Sequence, residues 1–245
     1  MYRKMLTALF LLSVLVCVRV FSADLSLDNL ITNLQGNQNK VRDMYTETVT
    51  TITSNMAMPG QQSKGSQKMV QKGKMWTKGQ DKTKIEMLSP MKQVTITNGD
   101  QMATINLETG QKVIQDLKKL RAQSGMGEAS QQMSLDKAKE FFNLSSVKRG
   151  NDYVITGVPK KDNKFIGKME FYVDSGRWVP VKIMMYDSKG KLVSESSIEY
   201  KQFSGVWLPV KNKSNVTTPM GKMDVEMLFE KVRVNQGISD KEFKI

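Results

Sequence analysis

The chain is predicted to be a mainly β protein with a few helices (α+β), folded as a curved, half-open antiparallel β-barrel whose helices cover the concave apolar face. Most of its length alternates apolar and polar residues with period two, the pattern of strands that bury one face and wet the other. Turn residues recur between these runs, most strongly Asn98-Gly99, which supplies the positive φ angles of a two-residue hairpin. Only two or three segments have helical spacing. An open twisted sheet of about ten strands curls or closes. A half-closed barrel gives those few helices an apolar mouth to pack in.

Residues 1–22 have the layout of an export signal: Arg3 and Lys4 lead, an apolar run fills 6–16, and Val20, Phe21 and Ser22 precede the cleavage point. Arg19 closes the run short of the ~20 residues that a membrane span needs. Cleavage before Ala23 or Asp24 is therefore expected rather than an anchor. Val16 stands before Cys17 where lipoprotein processing takes a small residue, which argues against lipidation.

An amphipathic helix follows, with Leu27, Leu30, Ile31, Leu34 and Val41 at helical spacing and Ser26 or Asp24 as its N-cap. From Met44 the period changes to two through YTETVTTIT at 45–53, which is a strand. A loop at 59–66 leads to strands at 68–78 and 82–88, the latter with Ile85 and Met87 on one face, and then to the hairpin of 94–97 and 102–105. Residues 115–145 interrupt the β pattern. Basic Lys118, Lys119 and Arg121 precede a Gly-, Ser- and Gln-rich segment at 124–132, and Ser134 caps a short helix carrying Leu135, Ala138, Phe141 and Phe142. That helix is either a lid on a tether or a fixed cover for the sheet. Long alternating strands then return at 168–173, 179–186 and 223–230. No linker divides residues 23–245, so a single domain is expected.

Composition narrows the chemistry. The net charge is +13, of which Arg3, Lys4 and Arg19 contribute three, so the exported part remains basic. Its lysines are dispersed among acids, which fits a basic soluble surface or contact with anionic lipid better than nucleic acid. There is no histidine, and the one cysteine lies in the signal. Disulfides, thiol nucleophiles, histidine bases and the usual zinc sites are thereby excluded. With no phosphate loop, nucleophile elbow or acidic cluster in the sequence, no catalytic residue, metal or cofactor is expected, and the chain is read as a non-enzyme.

Methionine is abundant, with 18 in the chain. Its flexible side chain fills irregular cores and also lines sites that accept variable apolar ligands. Met87, Met102, Met169, Phe171, Ile183, Met185, Met227 and Phe229 each sit in a run whose neighbours are polar or turn-forming. They are predicted to line one apolar cavity, with Leu135, Phe141 and Phe142 as its lid. Each methylene removed from water contributes about 0.8 kcal/mol, so a moderate cavity suffices for an acyl chain.

In order, the signal, the amphipathic helix, GKMWTKG at 73–79, NGD at 98–100, the helical insertion, RWVP at 177–180, GVWLP at 205–209 and VRVNQGISDKEF at 232–243 resemble the bacterial outer-membrane lipoprotein carrier and sorting family, the LolA-like proteins. The order carries the resemblance, and it covers nearly all of residues 23–245. It implies a half-open barrel that holds lipoprotein acyl chains under movable helices. It further implies a monomeric periplasmic carrier that takes cargo from an inner-membrane ABC transporter and gives it to an outer-membrane receptor. In the family an Arg-Pro pair often follows Trp-x-Lys and bonds the lid closed; here Gly79-Gln80 follow Trp76-Thr77-Lys78, and that latch is not carried over.

Two alternatives stay open: a carrier of free lipid or glycolipid, and a lipid-sensing envelope regulator. Such regulators usually have an added C-terminal domain, whereas this chain stops at Ile245, just past its last strand, which favours carriage. Lys118, Lys119 and Arg121 are the expected contacts with a membrane or partner.

Overall fold

The structure, a computed structural model, describes residues 25–55, 65–119, 135–163, 166–218 and 221–245. The expected signal at 1–22, together with Asp24, Arg121 and Ser134, lies outside these residues. Helix α1 (Leu27–Gln38) opens at Ser26, whose hydroxyl accepts from the Asn29 N–H at 3.3 Å. Leu30, Ile31 and Leu34 are its buried stripe. Val41, expected on that stripe, lies beyond the helix and packs with Met44 against Val206, Leu208 and Val234.

The rest of the fold is one antiparallel sheet. Its strands are β1 (Asp43–Ser54), β2 (Gln67–Lys78), β3 (Lys82–Ser89), β4 (Gln93–Asn98), β5 (Gln101–Asn106), β6 (Lys112–Asp116), β7 (Phe142–Arg149), β8 (Asp152–Pro159), β9 (Lys168–Asp174), β10 (Val179–Tyr186), β11 (Leu192–Phe203), β12 (Val206–Thr218) and β13 (Gly221–Val234). Helix α2 (Leu135–Phe141) precedes β7, and a 3-10 turn (Asp240–Phe243) ends the chain. The spatial order is β6-β5-β4-β3-β2-β1-β13-β12-β11-β10-β9-β8-β7. Every neighbour is a hairpin partner except at the centre, where the first strand pairs with the last. The sheet is curved and not closed, leaving β6 and β7 as edges. This is the half-open barrel that the alternation predicts.

Thirteen strands replace the expected ten or so. The additions lie where alternation fails as a signal. In β8, Tyr153, Val154 and Ile155 are all buried, so the run is apolar on both faces. Edge strand β6 is exposed throughout, and β7 is mostly so. Phe142, expected on the helix, is instead the first residue of β7, opposite Pro159.

Helix α1 lies on one face, the inner one, with Leu30 and Leu34 against Tyr153, Ile155 and Val173. Asn37 fixes its C-terminal end by mimicking a strand: its amide nitrogen donates to the Trp207 carbonyl at 2.8 Å, and its oxygen accepts from the Trp207 N–H at 3.0 Å. Lys139 of α2 bonds Asp28 of α1 at 2.6 Å, tying the two helices together. The C-terminal turn covers the opposite, outer face, where Phe243, fully buried, packs on Val94 and Ile96. Lys78 and Lys82 both reach Asp240, at 3.1 and 2.8 Å, and Lys84 reaches Glu242 at 2.7 Å.

Replacing Asn37 strands a part-buried backbone N–H and carbonyl together. The Asn37→Ala variant is expected to lose about 2 kcal/mol of stability, read as a lower midpoint in urea unfolding. An unchanged midpoint would show that the helix end is held by its apolar stripe alone.

Candidate functional site

Side chains directly opposite one another in an antiparallel ladder share a face, so the registers assign every strand residue to one side. One inner row runs Phe171–Ile183–Ser196–Ser214–Val225–Ile52–Met69 across β9, β10, β11, β12, β13, β1 and β2. The row beside it includes Ile198, Asn212, Met227 and Thr50. Met169 and Met185 pair with each other, as do Phe229 with Thr48 and Gly73 with Met87. Met102 joins through Thr97 on the far strands. All eight residues predicted to line a cavity therefore lie on the same face as α1, and each is half-buried.

This face has a second property that the apolar reading missed. From β6 to β8, outside the β11–β12 hairpin end where the register shifts and Lys201 lies opposite Leu208, no Asp, Glu, Lys or Arg in the strands has inner parity. Lys148, on edge strand β7, is the first to appear, with its ammonium 6.0 Å from the Tyr153 ring. Charges are sorted to the other side, where they pair across strands: Lys182 with Glu195 at 2.6 Å, Lys211 with Glu226 at 3.2 Å, and Lys231 with Glu47 at 3.0 Å. Glu170 is buried there. Burial works to raise its pKa, but the Lys168 ammonium at 3.0 Å and the Tyr186 and Tyr172 hydroxyls outweigh it and hold the carboxyl below its ordinary value.

Gly73 lets two strands close over this face. A Cβ there would stand 2.9 Å from the Glu86 carbonyl oxygen and 3.3 Å from the Thr48 hydroxyl, so the flanking Phe229 and Met87 meet a notch rather than a side chain. At the end capped by α1, aromatic residues form a floor. Trp178 adopts φ +54° and stacks on Tyr153 with ring centroids 6.0 Å apart. Arg177 lies 5.5 Å over the Trp207 ring, held by Asp174 at 3.0 and 2.7 Å. Those bonds lower the Asp174 pKa below its usual 3.8.

The expected lid divides. Ala138 of α2 is buried and Phe141 half-buried, while Phe142 points to the inner face from the sheet, beside Leu144 and Gly157. The side chain of Leu135 lies outside the described residues. Lys118 pairs with Asp100 at 2.9 Å, next to the turn after β4, so its charge is locally offset. Among the described residues no group of three or more acids gathers to hold a metal. A separate shallow pocket of about 320 Å³ opens on the outer face between Tyr45, Trp76, Arg233 and the C-terminal turn.

Comparison with known proteins gives a consistent picture of the fold. A family model described as an uncharacterized protein family matches residues 79–245. No curated protein matches the chain. The solved structure of a DUF1329 family protein from Desulfovibrio piger is 16% identical, with a TM-score of 0.63 over 88% of this chain and 95% of its own. A domain from Vibrio parahaemolyticus assigned to outer-membrane lipoprotein sorting is 15% identical, with a TM-score of 0.58 over 89% and 97%. A LolA superfamily protein from Nitrosomonas europaea is 11% identical, with a TM-score of 0.55 over 90% and 98%. At these identities the likeness is one of fold.

The floor yields an acid-sensitivity prediction. Because the folded-state pKa of Asp174 is depressed, its contribution to stability is complete above the unfolded value near 3.8 and is lost as pH falls through the lower folded value. Asp174→Asn should therefore be less stable than the parent at neutral pH, and the gap should narrow only below about pH 4. Thermal unfolding across that range tests it; a gap constant down to pH 2 would remove Asp174 from the floor's energetics.

Proposed function

Because the chain belongs to the uncharacterized protein family whose model matches residues 79–245 and has the LolA-like fold, we propose that it is a periplasmic carrier that binds the acyl chains of lipoproteins on its inner face and transfers them toward the outer membrane. The observation that supports this most is the eight half-buried apolar side chains, four of them on adjacent strands β9 and β10, gathered on a face whose central rows carry no charge. A curved apolar face of that kind can lie along an acyl chain and take its methylenes out of water. Methionines there can re-pack around differing chains, and burial of methylenes is non-directional, so the peptide part of each cargo stays in solvent.

On this reading residues 1–22 are a cleaved signal and 23–245 form one lipid-binding domain acting as a monomer. The carrier receives cargo from an inner-membrane ABC transporter and delivers it to an outer-membrane receptor. Binding needs no catalysis or cofactor. Helix α2, with Leu135 and Phe141, is the part of the cover that moves. Phe142 stays in the sheet as wall, since its movement would break the pairing with β8.

Purification from the native envelope followed by mass spectrometry tests the proposal directly: intact lipoprotein or lipid should accompany the protein. A binding assay with a pyrene-labelled monoacylglycerol localises the site. Met227→Asp places a charge on the inner face and should weaken binding tenfold or more, whereas Ser197→Asp, one residue from Ser196 but on the outer face, should leave it unchanged. Equal effects from both would place the chain elsewhere.

Delivery separates from retention. Retention rests on buried methylenes, while encounter with an anionic membrane or acidic partner rests on exposed charge screened beyond ~8 Å. Reversing Lys118, Lys119 and Arg121 together should slow transfer to acceptor vesicles and leave probe affinity unaltered. Loss of affinity with normal transfer rate would reverse that division.

A further inference from the structure

The central rows of the inner face are uncharged without being uniformly apolar. At its middle, between Ile183 and Ile198 on one side and Val225 and Met227 on the other, three polar side chains form a chain across β11 and β12. The Ser214 hydroxyl donates to the Asn212 side-chain oxygen at 3.4 Å, and the Ser196 and Ser214 oxygens are 2.7 Å apart. With the Ser214 hydrogen directed to Asn212, Ser196 is the donor in the second contact. Two capacities are left over: lone pairs on the Ser196 oxygen, and the Asn212 amide N–H groups, which have no partner among the described residues. All three residues are half-buried, and their flanking partners Ile183, Ile198, Val225 and Met227 are apolar.

We propose that this island receives the neutral head of one lipid molecule, a group bearing both a hydroxyl and an ester, ether or glycosidic oxygen, while the attached chain lies along the flanking Met, Ile and Phe residues. The inference rests on the carriage reading and adds the class of head. A hydroxyl can donate to Ser196, and an adjacent oxygen can accept from Asn212. A phosphate could also accept from Asn212, but outside the β11–β12 hairpin end no strand cation from β6 to β8 faces it, and an ammonium would likewise find no strand carboxylate. A charge drawn onto this face would lose its hydration without a counter-charge. The face thus discriminates against ordinary phospholipids, the most abundant amphiphiles a carrier near a membrane would meet.

Displacement of pyrene-labelled monoacylglycerol by a set of myristoyl esters, each below its aggregation threshold, tests this. The set comprises the glycerol ester, the glucose ester, the glycerol ester phosphorylated at its head, the choline ester and the methyl ester. The glycerol or glucose ester should displace the probe at a concentration at least about tenfold below the phosphorylated and choline esters. Tighter binding of glucose assigns the head to a sugar, and tighter binding of glycerol to a glyceryl unit, both within the proposal. In the Ser196→Ala, Ser214→Ala double variant, preference for the glycerol over the methyl ester should disappear while methyl ester binding is kept. Equal displacement by charged and neutral esters, or a preference that survives the double substitution, overturns the inference and leaves carriage standing. Failure of every ester and of the probe itself overturns carriage.

Discussion

The whole arrangement depends on parity in a single hydrogen-bonded ladder. Twelve consecutive pairings keep one set of alternate residues on one side, and the registers shift at several of them, between Tyr45 and Glu47 or between Glu199 and Tyr200, without mixing the two sets over the central rows. Side-chain period in a strand is two, so a slip of one residue would exchange the faces entirely. Here that would carry Lys211, Lys213 and Glu226 inward and Met227 out. The energetic gap against such a slip is large, because the exchanged residues would be charges without water or partners. Sorting of charge thus specifies register as well as lining a surface.

Legibility of the fold in the sequence followed the same logic. Met169, Phe171, Ile183, Met185, Met227 and Phe229 could be assigned to one side because their neighbours, such as Glu170, Lys182 and Glu226, are charged. The serine and asparagine island could not. In β11 the run SESSIEY places Ser194 and Ser196 inward and Ser197 outward, and hydroxyls look alike on either side. β8 was hidden for the opposite reason, since Tyr153, Val154 and Ile155 are buried whichever way they point. The pairing of β1 with β13 left no local trace, because the residues it joins, such as Thr48 and Phe229, are far apart in the chain.

The two faces are finished differently. On the inner side α1 covers only one end, gripping β12 through Asn37 and filling the floor with Leu30 and Leu34 against β8 and β9. On the outer side the C-terminal turn is pinned by three lysines and by Phe243 over Val94 and Ile96. Among the described residues one face is left partly uncovered, and the other carries the ion pairs and buried ring of that turn. That asymmetry gives the sheet a rigid back and an accessible front, as a binding surface on a stiff support requires.

The pairing of the first strand with the last has a consequence for how the molecule is made. Strands β1 to β6 can pair among themselves as hairpins, as can β7 to β13, yet neither half completes the central ladder alone. Synthesis from the N-terminus leaves the long outer edge of β1 bare until β13 emerges. Closing that contact joins residues with the greatest separation in the sheet, which makes assembly a late, slow event. Throughout that interval an unpaired twelve-residue edge and a largely uncharged face are presented together, the combination most prone to misassociation. The nascent chain would therefore be a natural client for holding chaperones, and its yield should depend on their supply more than on the final stability of the fold.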